Sequence, residues 1–206
     1  MSCIFSGLVV GGEIPRYLES LQTTFRETPD TPYANALKIE QDFKSDLMSR
    51  QGPENVHALH DELSDWMVRN VTVKRNNQDL ERTFAKIKEI RERYKRISLD
   101  DHSQFANQTY IFANQFAAML EVSLVITKGA LLRNESRGAH FKPEFALRDD
   151  SQWLKTTIAK YTLDEPTISY EPVDSRYLKP QQRDYSSMTK TTPVFENLPE
   201  KIPLPL

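Results

Sequence analysis

The sequence predicts a mainly α-helical protein: an antiparallel bundle of three to four helices, followed by a C-terminal extended tail that contains short β-strands. Two observations support this class. Up to about Arg133, apolar residues recur in steps of three and four. Most of the 12 prolines lie after residue 140, and none falls between Glu54 and Lys142. We therefore expect an N-terminal helix in 1–25, a helical bundle in 26–134, and a loop, short strands and a Pro-rich tail in 135–206.

Two apolar stripes predict the central pair of helices. The first stripe consists of Val56, Leu59, Leu63, Trp66, Met67 and Val71, and the second of Leu80, Phe84, Ile87, Ile90, Tyr94 and Ile97. Since Asn76-Asn77 separates the stripes, the two helices should pack as an antiparallel pair. A helix before them should start with Thr31 as N-cap and Pro32 at its first position. It should turn Leu37, Phe43 and Leu47 inward and stop at Gly52-Pro53.

A longer helix is expected after Asp101, starting near Phe105 and reaching Leu132. Its second half is apolar nearly all round, which is typical of a central helix that is covered on several sides. Its most apolar part, Phe116 to Ile126, is interrupted by Glu121 and falls short of the ~18 residues that span a bilayer. We therefore expect no membrane-spanning segment.

The opening residues Met1 to Val10 suit a helix, with a break or a new start at Pro15. Gly7 and Gly11 are unusual there, because glycine costs helix stability and commonly permits close approach to another backbone. No positive charge precedes this segment, so we interpret it as a buried helix and not as a signal peptide.

Composition and short motifs exclude several functions. The net charge of -2 gives no reason to expect a nucleic-acid partner. Cys3 is the only cysteine, so neither an intrachain disulfide nor a thiolate metal cluster can form. His57 and His60 share one helix face and resemble half a metal site, but no third ligand follows, and we interpret them as a solvated face. Neither GxGxxG nor GxxxxGK[ST] occurs, so no dinucleotide-binding fold is recognisable.

The densest polar cluster runs from Asn134 to Asp150, where the long helix ends. Gly138 suits a helix C-terminus, and Arg137 and His140 suit its negative end. One interpretation is a structural clamp between the bundle and whatever covers it. The other is acid–base catalysis by His140, polarised by an aspartate. Beyond the cluster, Trp153 to Tyr161 and Thr167 to Val173 alternate β-branched or aromatic with polar residues, which predicts two short strands.

This cluster also carries a family resemblance. Glu135-Ser136-Arg137-Gly138-Ala139-His140, then Arg148-Asp149-Asp150, then Trp153-Leu154-Lys155, resembles the C-terminal signature of succinate dehydrogenase and fumarate reductase flavoproteins. The run from Ile168 to Val173 resembles the dehydrogenase tail, and Met1 to Gly11 resembles the helix after the family's flavin-contacting segment. L-Aspartate oxidase is similar through Glu-Ser-Arg-Gly but lacks the Arg-Asp-Asp and Trp-Leu-Lys continuation.

The resemblance implies a setting. In the family an N-terminal FAD domain and a capping domain form the active site, and the flavin passes electrons from succinate to an iron–sulfur subunit. The expected location is peripheral, on the cytoplasmic side of the cell membrane, through partner subunits. The expected cofactor is FAD, in the complete subunit and not on this chain alone. The glycine-rich FAD fingerprint and the substrate-binding residues are missing here, so the isolated chain should be inactive.

Residue roles follow from the same resemblance. It implies no catalytic residue and no metal ligand in this chain, which favours the clamp over catalysis by His140. It implies a structural signature made of Arg137, His140, Arg148, Asp149, Asp150 and Trp153. It implies that Met1 and Ser2 lie near the flavin, at a helix N-terminus whose partial positive charge favours an anion. One rival hypothesis is a non-enzymatic helical binding module that covers its own apolar surfaces. Another is a fragment of L-aspartate oxidase, which the run Arg148-Asp149-Asp150 followed by Trp153 argues against.

Overall fold

A computed structural model describes residues 2–176 and 180, and it confirms the mainly α-helical class with a small antiparallel sheet. Six helices and two strands follow one another in these residues: α1 (Ser2–Ser20), α2 (Thr31–Ser49), α3 (Val56–Asn70), α4 (Asn77–Tyr94), α5 (Gln108–Leu132), α6 (Asp150–Trp153), β1 (Lys155–Lys160) and β2 (Thr167–Pro172). Short 3₁₀ turns occupy Phe25–Glu27 and Pro143–Phe145.

The expected antiparallel pair is α3 and α4, and each of these helices begins with an asparagine cap. The side-chain oxygen of Asn55 accepts hydrogen bonds from the backbone of His57 and Ala58, and that of Asn76 accepts one from Asp79. Both predicted stripes face inward. Their buried members form the core together with residues of α5: Val56, Leu59, Leu63, Ile87, Ile90, Tyr94, Ile97, Ala113, Phe116, Leu120 and Leu124.

Helix α5 packs against α3 and α4, with further contacts to α2 and β1. The hydroxyl of Tyr94 donates a hydrogen bond to the carbonyl of Ala113, at 2.9 Å, and burial raises the pKa of this tyrosine to about 12. Asn107 caps the helix, so Phe105 lies outside it and is exposed, contrary to expectation. The expected cover is also incomplete, because Val122 and Ile126 are exposed.

The expectation that no segment is long and apolar enough to span a bilayer is wrong for α5. An 18-residue window of this helix has a mean hydropathy of 1.4, because the apolar residues around Glu121 outweigh its charge. A buried core helix meets the same criterion. One face of α5 is such a core face, since Phe116, Leu120 and Leu124 are buried in the bundle.

The N-terminal residues depart most from expectation. Helix α1 continues through Pro15 to Ser20, contrary to the expected break or new start at this proline. In α2 the cap position falls on Asp30, and Leu37 is exposed. Only the end of α2 reaches the core, where Leu47 is buried and Phe43 is partly buried. Side chains of 3–24 and 26–42 are all exposed, and we call residues 3–42 the N-terminal arm.

The expected strands form one antiparallel hairpin in which Thr157 pairs with Tyr170 and Lys160 with Thr167. Trp153 does not belong to the first strand, because it closes the short helix α6. The part of the tail beyond 176, apart from Pro180, lies outside the described residues.

Backbone hydrogen bonds join the segment before α3 to the segment after α4. The backbone N–H of Glu54 donates to the carbonyl of Arg96, at 3.2 Å, directly beside Gly52. A Cβ atom added to Gly52 would lie 1.7 Å from the same carbonyl oxygen. Only glycine therefore permits this approach.

We expect Gly52→Ala to destabilise the protein by at least about 2 kcal/mol, because the new methyl group forces the two backbones apart. Urea unfolding followed by circular dichroism measures this change. Gly129→Ala, inside α5, is the matched control: its Cβ would lie at an ordinary 3.8 Å from the side chain of Thr157, so its effect should lie between zero and about 1 kcal/mol of stabilisation. Equal unfolding midpoints for the two variants would contradict this explanation.

Candidate functional site

The polar cluster of the sequence folds around a fully buried carboxylate. Glu135 has no exposed surface. Its oxygens accept hydrogen bonds from Arg137 at 2.8 and 3.0 Å, from Arg133 at 2.9 Å and from the backbone N–H of Asp149 at 3.1 Å. A buried charge is tolerated only when it is paired and hydrogen-bonded in this way. We call Arg133, Glu135, Arg137, Arg148, Asp149 and Asp150 the ion-pair cluster.

Glu135 and Asp150 are the two carboxylates of the ion-pair cluster that each pair with two arginines, and their surroundings favour the charged form of both. Burial raises the pKa of Glu135, but the hydrogen bonds from Arg137, Asp149 and Arg133 outweigh it and leave the pKa below the ordinary value. Hydrogen bonds from Arg148 and Arg137 lower the pKa of Asp150 to about 2. Both groups are therefore anions at neutral pH.

Asp150 and Asp149 extend the cluster toward the hairpin. The carboxylate of Asp150 accepts from Arg137 at 2.7 Å and from Arg148 at 2.6 and 2.7 Å. Asp149 instead caps α6, because its carboxylate accepts from the backbone of Ser151 and of Gln152. The Arg-Asp-Asp motif thus supplies one ion pair and one helix cap.

Arg133 connects the end of α5 to the hairpin. Its guanidinium donates to the carbonyls of Trp153 at 2.6 Å and Lys155 at 3.0 Å, and to the hydroxyl of Thr157 at 3.3 Å. The same group lies over the Trp153 ring, 5.5 Å from its centre. Trp153 in turn meets Tyr170 edge to face, at 5.5 Å between centroids.

His140 joins the end of α5 to the end of α3. One ring nitrogen, Nδ1, lies 2.8 Å from Arg75, and the other, Nε2, lies 3.0 Å from the carbonyl of Arg133. A guanidinium can only donate, so this imidazole is neutral, with Nδ1 as acceptor and Nε2–H as donor. Burial, with a smaller effect of Arg75, lowers the pKa of His140. Both ring nitrogens are thereby engaged in structural hydrogen bonds.

Lys142 also binds the end of α5, and Glu144 binds the start of α4. Lys142 is fully buried, and its ammonium donates to the carbonyl of Leu131 at 2.8 Å, in the last turn of α5. Burial lowers the pKa of Lys142 to about 8. The carboxylate of Glu144 accepts from the backbone N–H of Asn77, at 3.0 Å, in the first turn of α4. The loop after α5 therefore contacts the ends of all three bundle helices.

Gly138 has a different role from the one expected. Helix α5 ends at Leu132, and Gly138 lies six residues later, with a φ of 59°. It occupies a tight turn in which Arg137 and His140 exchange both backbone hydrogen bonds. The left-handed backbone of this turn favours glycine. This turn places Arg137 beside Glu135 and His140 beside Arg133.

The structure brings together the six residues expected to form a structural signature: Arg137, His140, Arg148, Asp149, Asp150 and Trp153. Sequence reasoning did not single out the carboxylate at their centre, Glu135, although the alternation Arg133, Glu135, Arg137 is a usable signal for a paired buried charge. No sequence pattern indicated the role of Arg75, because its partner His140 lies 65 positions further along the chain.

Other candidate residues are placed elsewhere. Ser2 begins α1, while Met1 and the side chain of Ser2 lie outside the described residues. His57 stacks on Phe112 at 4.4 Å, and His60 meets the same ring edge-on at 5.4 Å, so this face is partly covered by aromatic packing and not merely solvated. In 2–176, no group of three His, Cys, Asp or Glu side chains is arranged to hold a metal ion.

The ion-pair cluster does not fit a flavin. A dinucleotide pyrophosphate needs cations or free N–H groups. Here Arg133 and Arg137 already pair with Glu135, and Arg148 pairs with Asp150. Its arrangement supports a fixed mechanical link between helix ends, and no step of flavin chemistry follows from it.

Comparison with known proteins identifies the family. Residues 60–185 match the family described as "Fumarate reductase flavoprotein C-term". The succinate dehydrogenase flavoprotein subunit of Bacillus subtilis is 41% identical over 188 residues, which are 90% of this chain and 32% of that protein. The fumarate reductase flavoprotein subunit of Helicobacter pylori (strain J99) is 35% identical over 67% of this chain and 20% of its own length.

Solved structures agree with these sequence matches. A chain of Escherichia coli quinol fumarate reductase superposes with a TM-score of 0.68 at 29% identity, over 73% of this chain and 26% of its own length. An Sdh1 complex from Mycobacterium smegmatis has the same fold, with a TM-score of 0.59. This chain spans about a third or less of the relatives that it matches. The chain belongs to the family of C-terminal domains of succinate dehydrogenase and fumarate reductase flavoprotein subunits.

Proposed function

We propose that this chain is the helical part that completes a flavoprotein subunit catalysing succinate–fumarate oxidoreduction, and that it is structural and not itself catalytic. The main support for this proposal is a sequence match: 90% of the chain matches about a third of a succinate dehydrogenase flavoprotein subunit. The arginines of the ion-pair cluster are all paired with Glu135 or Asp150, which supports the structural role. The remainder of the subunit would supply FAD, the substrate site and the proton relay.

We propose three regions within this function. Residues 1–25 pack on the FAD domain, 26–134 form the bundle, and 135–206 hold the signature loop, the hairpin and the tail. The exposed apolar side chains of α1 support the first assignment, since an isolated helix that exposes Ile4, Phe5 and Leu8 is unstable in water. Met1 and Ser2, at the start of that helix, would face the flavin.

The proposed partners follow from the same setting. They are the FAD and capping domains of the flavoprotein and an iron–sulfur subunit that accepts the electrons. Through that subunit the protein would lie on the cytoplasmic side of the cell membrane. The relatives are named as flavoprotein subunits of succinate dehydrogenase and fumarate reductase, which supports this assembly.

We further propose that the ion-pair cluster, together with His140 and Trp153, acts as the clamp that fixes the hairpin to the ends of the bundle. The hydrogen bonds of Arg133 to the hairpin and of His140 to Arg75 support this role. In this interpretation His140 is a positioning residue and moves no proton during turnover.

The first experiment measures the size and the flavin content of the native polypeptide. An antibody raised against residues 181–206 is used on membranes of the source cells, and the band is purified and assayed for FAD. We expect a flavin-containing band about three times larger than 23.9 kDa, or a 23.9 kDa band that copurifies with a flavin-bearing chain. A free, flavin-less monomer would contradict the proposed function and favour a separate binding module.

Gly7→Leu, made in the same polypeptide, tests the contact of α1. No heavy atom lies within 4 Å of a Cβ added at Gly7, so leucine meets no obstacle inside the described chain. It should lower the ratio of flavin to polypeptide only if another domain packs closely on this helix. Unchanged flavin content would count against the assignment of residues 1–25.

Removal of the central carboxylate tests the clamp. Glu135→Gln should lower the free energy of unfolding by about 3 kcal/mol, because it leaves Arg133 and Arg137 without their shared counter-ion. Chemical denaturation measures the loss. In the control Glu92→Gln, an exposed ion pair with Lys95 is removed, and the free energy of unfolding should hardly change, because water already screens this pair. A similarly small effect at Glu135 would exclude the clamp.

Acid should weaken the clamp through His140. Its pKa is lowered in the folded state, so the unfolded chain binds the proton more tightly. The stability contributed by neutral His140 is therefore present above its ordinary pKa of 6.5 and is lost as the pH falls from 6.5 toward the folded value. Between pH 7 and 5, the free energy of unfolding should fall more steeply in the wild type than in His140→Gln. Parallel curves would show that the imidazole is not held neutral.

A further inference from the structure

Lys142 is a fully buried lysine in the loop that follows α5, and its side chain has no exposed surface. Its terminal nitrogen donates to the carbonyl of Leu131 at 2.8 Å and to the side-chain oxygen of Asn134 at 3.2 Å. These two acceptors match the two N–H groups of a neutral amine, whereas a protonated lysine carries three N–H groups and a full charge. The site therefore fits the neutral form of Lys142 better than the charged form.

No full negative charge balances this lysine within the described residues. Its nitrogen forms no ion pair with a carboxylate there. The carboxylate of Glu144, nearby in the same loop, binds the backbone N–H of Asn77 instead, at 3.0 Å. The last turn of α5 offers only about half an elementary negative charge. A buried cation needs more than this, because burial removes the water that would otherwise solvate its full charge.

Burial is the largest influence on the proton affinity of Lys142, and the charged groups around it do not offset it. Glu144 favours the charged form, whereas Arg75, from the loop between α3 and α4, opposes it. His140 lies 2.8 Å from Arg75 and is neutral, so it supplies no counter-charge, and Arg133, at the end of α5, is paired inside the ion-pair cluster. Together these effects lower the pKa of Lys142 to about 8. Lys142 therefore changes its charge close to neutral pH.

The loop of residues 134–145, which we call the lysine loop, closes around this nitrogen through its own hydrogen bonds. The backbone N–H of Lys142 donates to the hydroxyl of Ser136 at 3.0 Å, and this hydroxyl donates to the carbonyl of Phe145 at 2.8 Å. Arg137 and His140 exchange both backbone hydrogen bonds in the same loop. Since Lys142 is fully buried, water reaches its amine only when such bonds open. Opening of the loop and hydration of Lys142 are therefore one event.

We propose that Lys142 makes the lysine loop a pH-sensitive fastening of the end of α5: the loop opens more often when the amine is protonated and closes when it is neutral. Opening lets water solvate the ammonium group, which the closed site solvates poorly. The proposal goes beyond the clamp and does not depend on the presence of a flavin. Above pH 7, His140 is already neutral, so its titration does not contribute to this effect.

The direction of the effect follows from proton linkage. A hydrated lysine in the open loop keeps its proton up to the ordinary pKa of 10.5, whereas the closed loop releases the proton at a pKa of about 8. Between these values the open form binds more protons, so a rising pH favours the closed form. The ratio of open to closed loops should therefore fall about tenfold from pH 7 to pH 9.

Hydrogen exchange in the complete native polypeptide tests the proposal, with Lys142→Met as the comparison. Methionine is unbranched, flexible and apolar, so it can fill the site but takes up no proton. Millisecond labelling and mass spectrometry give protection factors for the loop amides of Arg137 and His140, after division by the intrinsic exchange rate at each pH. We expect about tenfold more protection at pH 9 than at pH 7 in the wild type, and no change in Lys142→Met. Protection that is independent of pH in the wild type, or that rises equally in both proteins, would overturn the proposal.

Competitive amine labelling gives a second measurement, which needs no variant and therefore holds even if Lys142→Met does not fold. A trace of acetic anhydride reacts with neutral amines, and the matched control in the same sample is Lys160, an exposed lysine on β1. We expect the ratio of label on Lys142 to label on Lys160 to change less than about twofold between pH 7 and 8.

The same ratio should then fall about 30-fold between pH 8 and 10, because Lys142 is already neutral while an exposed lysine is still losing its proton. A ratio that stays constant up to pH 10 would show that the closed site accommodates the ammonium group, and the proposal would be wrong.

Discussion

One buried carboxylate and the positive charges that it requires determine the geometry of the loop between α5 and the hairpin. Glu135 is fully buried and remains ionised only because Arg133, Arg137 and the backbone of Asp149 bind it together. Each of these partners has a second function: Arg133 holds the hairpin, Arg137 meets Asp150, and Asp149 caps α6. The direction in which the chain leaves α5 thus follows from the solvation of a single charge.

The domain separates two kinds of stabilisation. Leucine, isoleucine and phenylalanine side chains fill the space between α3, α4 and α5, while charged groups fasten the loops at one end. Many of the exposed apolar side chains lie on the N-terminal arm, and others lie on the outer face of α5, at Val122 and Ile126. A domain that fastens its own loops so thoroughly, and yet leaves these surfaces open, is well suited to act as part of a larger protein.

The sequence predicted the bundle well, because hydrophobic periodicity reports burial directly. The prediction failed where the burial of a side chain depends on a neighbouring element, because the spacing of apolar residues along one helix does not reveal that element. Leu37 has the spacing of a core residue, but it lies on the part of α2 that projects beyond the bundle. Pro15 has the chemistry of a helix breaker, yet α1 continues through it. In the cluster, Arg75 and His140 could not be paired from sequence, since no local rule links positions so far apart.

The separation of partners along the chain has a consequence for biosynthesis. The backbones at Gly52 and Arg96 meet within a segment that leaves the ribosome before α5 does, so the α3–α4 pair can close while α5 is still being made. The bond between Arg75 and His140 must wait for the loop beyond α5. The loop that is synthesised after the helices therefore locks the bundle, and a chain truncated before residue 140 would keep its helical pair but leave the ends of the bundle free to fray.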